Sequence, residues 1–382
     1  MQDMHSTKSQ IVRYLSGGSS VAPGKEIGSS NYPYAVTRIR AMKVKLVPRD
    51  EYPRLLNMSR DEIIRKIGES NYKSDIDELS REYKGANLIE HALNRNMATS
   101  FQKVLRITEG IPHLLVNEYL KKYDIWAVKT LVRGKMNGID PEDIRSTLVT
   151  GGSLRYTFLS GLSDKSYEEV LEALRSTEFG ECLKKLDGNN LSAFENELDK
   201  LYYKGLISIP GFPGSSDRKL FDRFVRREID VQNMNVLFRL KKADVYVTET
   251  SGAESESQVS DVMNLMIEGG LELDPDKLKV LAALPFGKFV AALRSTSYWT
   301  ALQPYVENKE PAEVNLTDIS KSLLNFNLKK ITSNSLQSMM SIVPILEYVI
   351  YKENEVRNLR IIVRGKSAGM DNNLIKEQLV II

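Results

Sequence analysis

The most pointed chemistry in this sequence is a basic pair that recurs: Arg133 with Lys135, Arg239 with Lys241, and Arg364 with Lys366. Arg40 and Lys43 form a looser counterpart near the start. Cations repeated at matched places can meet an acidic helical partner or anionic lipid headgroups. They can equally be the solvated face of long helices, their spacing inherited from duplication. Both readings are open, and these six residues are the candidate partner contacts. Other combinations promise less. VRGKMNG at 132–138 holds the Gly and Lys of a phosphate cradle, but not the GxxxxGK[ST] spacing. It lies inside a helical pattern, where a glycine more often permits close helix contact. No glycine-rich dinucleotide fingerprint is present, so no nucleotide site is expected. Asp140/Glu142/Asp143, Glu168/Glu169 and Asp274/Asp276 read as helix caps and solvated faces, since paired carboxylates alone are not catalytic machinery. His5, His91 and His113 are too scattered for a histidine metal centre. Cys182, the single cysteine, excludes an intramolecular disulfide and a four-thiolate site, and reads as a packed helix residue. No catalytic, cofactor-binding or metal residue is therefore expected, and the chain does not read as an enzyme.

The elements that position these groups are helices. The chain has 382 residues, two to three domains' worth at about 150 each. Lys+Arg total 53 against Asp+Glu 50, and 42% of residues are hydrophobic, so the chain folds around real cores and is not a dedicated nucleic-acid binder. No apolar run reaches the roughly 18 residues of a spanning helix, and no signal-peptide pattern is seen, so a cytoplasmic compartment is expected. Apolar residues recur at three and four, as in Val36, Ile39, Val44 and Val47. Helix starts are expected at Ser59, at Ser74 in SDIDEL, at Asp140–Pro141 and at Asp274–Pro275. Residues 1–30, with GGSS and GSS, read as a flexible tail. Residues 208–217, 250–258 and 307–315 read as loops, and VYVTET at 245–250 as a helix end beside one. Trp126 is expected in the core.

The chain also resembles itself. DIWAVKTLVRGKMNGIDPEDIRSTLV at 124–149 aligns with EVRNLRIIVRGKSAGMDNNLIKEQLV, 231 residues later. DVQNMNVLFRLKKADV at 230–245 is a further copy, 106 residues after the first, with Asp230 on Asp124 and Arg239 on Arg133. A weaker copy runs over 34–56. A second motif alternates with these: Leu174–Arg175–Ser176–Thr177 matches Leu293–Arg294–Ser295–Thr296, and IIRKIGESNYKSDI at 63–76 is a weaker member. The order implies three related helical units at 31–123, 124–229 and 230–354, and a half-repeat at 355–382. If that half-repeat packs on the first unit, an all-α ring or funnel with pseudo-threefold symmetry closes. An open solenoid is the alternative.

On YPYAVTRIRAMKVKLV at 32–47, NEYLKKYDIWAVKTLVRGKMNGIDPEDI at 117–144, the LRST pair and NLRIIVRGKSAGMDNNLIKEQLV at 358–380, the sequence resembles the C subunits of A-type ATP synthases, counterparts of the d subunits of vacuolar-type ATPases. The resemblance covers residues 31–382. It implies a funnel of three similar helical domains, seated on the cytoplasmic face of the membrane as a peripheral protein. Its partners would be the proteolipid subunits of the rotor ring and the central-stalk subunits, whose lower end the funnel receives. It implies no cofactor, no bound nucleotide and no nucleic acid. Arg133, Arg239 and Arg364 would be contacts from matched positions. The sequence departs from the pattern at its long leader, at the polar 250–258 segment, and in the middle copy, where RLK replaces RGK. The rival expectation is a helical-repeat scaffold binding another protein or RNA.

Overall fold

The computed structural model describes residues 30–149, 151–186, 191–209, 216–243 and 260–381. The expected tail at 1–29, most of the 208–217 loop and the 245–250 and 250–258 segments lie outside them. Among the described residues every regular element is a helix. The first stretch holds α1 (Tyr32–Lys43), α2 (Glu51–Asn57), α3 (Arg60–Gly68), α4 (Lys73–Leu79), α5 (Gly85–Ile107) and α6 (Ile111–Leu120). Next come α7 (Lys122–Met136), α8 (Pro141–Thr147), α9 (Tyr156–Ser163), α10 (Tyr167–Arg175), α11 (Gly180–Leu183) and α12 (Leu191–Ile207). The long α13 (Ser216–Lys242) is followed by α14 (Pro275–Ala283), α15 (Phe286–Leu293), α16 (Trp299–Val306) and a 3-10 turn at Pro311–Glu313. The chain ends with α17 (Leu316–Gln337), α18 (Val343–Ser367) and α19 (Asn372–Gln378).

Local chemistry explains several helix starts. Ser59 and Glu62 form a reciprocal capping box, as do Ser166 and Glu169. The carboxylates of Asp140, Asp274 and Asp371 accept from the free amides of Glu142, Lys277 and Asn373. Ser74 caps nothing, contrary to expectation. Helix α4 begins one residue earlier, where the buried Tyr72 is anchored through its hydroxyl to Glu355. Val44 is exposed as well, because α1 ends at Lys43 and only Ala35, Val36 and Ile39 face inward.

Among the described residues the core forms two clusters, and α13 serves both. Phe221, Phe224, Val225 and Ile229 join the larger cluster, with α1–α12 and α18. Val231, Met234, Leu237 and Phe238 join the second, with α14–α17. Helix α18 packs against α1, α3, α5 and α17, and α19 packs on α2.

The sequence repeat has a physical counterpart in three buried carboxylates. Asp124, Asp230 and Glu355 occupy the matched position, each at most 3% exposed. Asp124 accepts from the amides of Ser153 and Leu154 at 2.7 and 3.0 Å and from the Ser153 hydroxyl. Asp230 accepts from the amides of Leu271, Glu272 and Leu273 and from the Tyr298 hydroxyl at 2.7 Å. Glu355 accepts from the Val47 amide, the Tyr72 hydroxyl and the Lys352 ammonium. A buried carboxylate is costly unless its lone pairs are filled, and here each stitches a distant loop or turn onto its helix.

The RGK glycines also act in parallel. A Cβ on Gly134 would lie 2.7 Å from Ile144 of α8, and one on Gly365 would lie 2.7 Å from Ile375 of α19. These are close helix contacts, as the sequence implied. Both helices then stop alike, at Gly138 (φ 64°) and Gly369 (φ 68°), where left-handed backbone returns the Ile139 and Met370 amides to the Gly134 and Gly365 carbonyls.

Candidate partner-binding socket

One face of each repeated long helix stays open to solvent in the same rhythm. On α7 it carries Lys122, Trp126, Lys129 and Arg133. The matched residues are Glu228, Gln232, Asn235 and Arg239 on α13, and Glu353, Arg357, Arg360 and Arg364 on α18. In all three rows the residues are, in order, half-buried, exposed, half-buried and exposed. Spacings of four, three and four residues keep each row on one side of its helix.

At the N-terminal end of these rows Lys122, Glu228 and Glu353 line one cavity of about 350 Å³. Its wall includes Tyr119, Phe224, Gln232, Asn235, Asn327, Asn354 and Arg357. Lys122 donates to Glu353 at 2.6 Å and to the Tyr119 hydroxyl at 3.1 Å. Tyr203 donates weakly to Glu228 Oε1 at 3.4 Å, the Tyr119 hydroxyl is a further donor to this carboxyl, and Glu228 Oε2 is sealed from solvent. Asn327 Oδ1 and Asn354 Oδ1 are sealed and without a hydrogen-bond partner. Burial holds the Glu228 carboxyl above the usual carboxylate range; the Lys122 charge opposes this and the Glu353 charge reinforces it. Burial pulls the Arg357 guanidinium down.

The six residues singled out in the sequence do not form one set. Arg133 binds Glu195 of α12 through two nitrogens, at 2.6 and 3.0 Å, while its side chain stays 56% exposed. Arg364 binds Glu90 of α5 at 2.5 Å and stays 63% exposed. Arg239 is exposed, and no acid pairs with it among the described residues. Lys135 is half-buried, and Lys366 donates to Asn372 Oδ1 at 2.6 Å. Lys241 corrects the expectation. It is buried, donates at 2.6 Å to the carbonyls of Ala282 and Leu284 at the end of α14, and desolvation lowers its pKa to about 8. It ties α13 to the end of α14 and offers no charge to a partner. The three arginines therefore mark the open ends of the rows.

Trp126 is corrected as well. It is 41% exposed, on the row that begins at Lys122. The triad was missed in the sequence because Lys122 does not match Glu228 and Glu353 in type; the repeat offsets alone superimpose the three. Elsewhere the groups that could have carried chemistry are occupied. His91 stacks on Tyr83, and His113 bonds the Leu105 carbonyl. Burial pushes the Cys182 thiol up to about 11, which suppresses thiolate chemistry. Among the described residues no three His, Cys, Asp or Glu side chains could hold a metal, and no helix is long and apolar enough to cross a membrane.

Among the described residues the class is an all-helical protein with repeated long helices and a cavity between them. The family comparison gives that class its identity. Residues 35–378 match the family described as ATP synthase (C/AC39) subunit. The chain is 51% identical over 359 residues to the A-type ATP synthase C subunit of Methanosarcina acetivorans, covering 94% of this chain and 95% of that one. The same-named proteins of Methanosarcina mazei and Methanosarcina barkeri are 50% and 49% identical, each over the same shares of both chains. The chain belongs to the ATP synthase (C/AC39) subunit family.

Proposed function

We propose that this chain is the non-catalytic central-stalk subunit of an A-type rotary ATP synthase, coupling the membrane rotor ring to the stalk in ion-driven synthesis or ATP-driven pumping. Its helical units, at 31–123, 124–229 and 230–354 with the half-repeat at 355–382, stand in a pseudo-threefold funnel. One observation carries this reading beyond family membership: three matched helix faces present the same sequence of exposure, and their first residues line one cavity. A socket for an elongated partner needs such a wall of inward-facing, solvated side chains. The half-repeat supports closure, because Glu355 bonds Val47 and Tyr72 of the first unit. The subunit sits peripherally on the cytoplasmic face of the membrane, with proteolipid ring subunits below it and stalk subunits in the funnel. Glu228 and Glu353 begin two of the rows and Arg239 is the one cation on the α13 row, which argues against a continuous basic track for RNA.

Tagged protein recovered from membranes of its native host tests this. Co-purification of stalk subunits, a small membrane proteolipid and the nucleotide-binding headpiece is the expected result. An RNA complex or unrelated soluble partners, without those subunits, would replace it with the scaffold reading.

A further inference from the structure

The far ends of the three rows repeat in register but not in charge. On α7 the last two row residues meet acids of α12: Lys129 donates to Asp199 at 2.6 Å, and Arg133 to Glu195. On α18 they meet α5: Arg360 donates to Asn94 at 2.6 Å and to Glu90 at 2.8 Å, and Arg364 also donates to Glu90. In both copies four residues on along the row go with four residues back along the facing helix. Helix α13 keeps the first contact, since Asn235 accepts from the Ser320 hydroxyl of α17 at 2.8 Å. The same step of four takes Arg239 to Leu316. A half-buried leucine, packed on the second core cluster, thus stands where α12 and α5 place an acid. Arg239 is exposed, and no acid pairs with it among the described residues.

We propose that Arg239 is the row-end arginine that serves the partner: it takes a carboxylate from a helix of the inserted stalk, in the place that α17 leaves without an acid. This inference rests on the stalk reading given above. Arg133 and Arg364 have their charge met within the chain, so a second carboxylate there would face Glu195 or Glu90 across one guanidinium. At Arg239 no such acid competes among the described residues. The exposed residues of this row, Gln232 and Arg239, are seven positions and so about 10 Å apart, two turns of a helix laid beside them. A guanidinium can hold a carboxylate through two parallel donors.

The test measures the affinity of the full chain for the purified stalk subunit of the same complex. Arg239→Gln is expected to weaken binding about fivefold, the scale of a partly exposed charge pair, while the thermal midpoint holds. Leu316→Glu installs the missing acid and occupies Arg239 from within, so it is expected to weaken binding by as much. Leu316→Gln, of the same shape without the charge, is expected to bind as the wild type does. Arg133→Gln with Glu195→Gln removes a pair that is already filled, and is expected to stay within about twofold. Wild-type affinity in Arg239→Gln would overturn the proposal and leave the stalk reading standing; weaker binding of that variant to vesicles of anionic phospholipid would then assign the arginine to the membrane. An equal loss in the Arg133 and Glu195 variant would make the row ends equivalent and overturn it too. An equal loss in Leu316→Gln would make the leucine, not the arginine, the contact. Failure of the wild type to bind the stalk would remove the stalk reading itself, and this contact with it.

Discussion

Asp124, Asp230 and Glu355 are unfavourable core residues until their donors are counted. The donors differ from copy to copy, and Asp124 and Asp230 each have a titration of their own to follow. Burial raises the Asp124 pKa to about 6 despite hydrogen bonds from Ser153 and Leu154 that lower it. The folded chain therefore holds this proton more tightly than the unfolded chain, whose aspartates titrate near about 3.9. The stability tied to that proton is complete below about pH 4 and is lost as pH rises through about 6. The difference in urea midpoint between wild type and Asp124→Asn should change across that window and be flat outside it. A difference constant from pH 4 to 7 would contradict the assignment. Asp230 offers a second test. Burial raises its pKa, and the Tyr298 hydroxyl is among the hydrogen bonds holding it down. Tyr298→Phe should push the Asp230 carboxyl higher still, read by its carbon-13 titration, and cost about 1.5–3 kcal/mol in denaturant unfolding. Phe179, at the matched place in the second motif, lacks that hydroxyl by nature.

The elements were legible in sequence where helices carry their own signals, as at the caps Ser59, Asp140 and Asp274 and the stop glycines Gly138 and Gly369. Ser59, Asp140 and Asp274 were readable as caps from residue type and spacing alone. Where a start depended on tertiary anchoring, as at Tyr72, the local signal at Ser74 misled. The repeated basic residues were legible as a pattern but not as a site, because exposure depends on what packs opposite. Lys241 meets the end of α14, whereas its counterpart Lys135 stays half-buried. Trp126 looked like core for the same reason: its row faces solvent, and only the packing of α7 against α12 and α10 reveals that. One element-scale contact can be tested by sign. Gly134→Ala adds a good helix former but forces a methyl to 2.7 Å from the Ile144 Cγ1 and Cδ1 atoms. Overpacking costs about 1–3 kcal/mol against a helix gain near 1, so the substitution should destabilise. In an Ile144→Ala background both crowding atoms are gone, and the same Gly134→Ala should stabilise. Denaturant midpoints of the four proteins measure this, and a destabilisation unchanged by Ile144→Ala would place the strain elsewhere.

At the scale of the whole molecule, the three arginines at the open ends of the rows separate folding from assembly. Arg133 and Arg364 each hold an acid on a neighbouring helix, but both side chains are more than half exposed. Exposed pairs of this kind contribute about 0–1 kcal/mol, so Arg133→Gln with Arg364→Gln should barely move the thermal midpoint. If their charge meets an anionic partner, assembly of the reconstituted complex should weaken and its salt dependence should flatten, because fewer counterions are then screened out of the interface. Arg239 makes the cleaner probe. It sits at the matched position with no acid partner among the described residues, so Arg239→Gln removes no internal ion pair there. Weaker assembly in that variant, with an unchanged thermal midpoint, would assign the row ends to partner contact. Equal affinity and equal salt slope for wild type, the double variant and Arg239→Gln would make the recurring arginines a duplicated solvated surface.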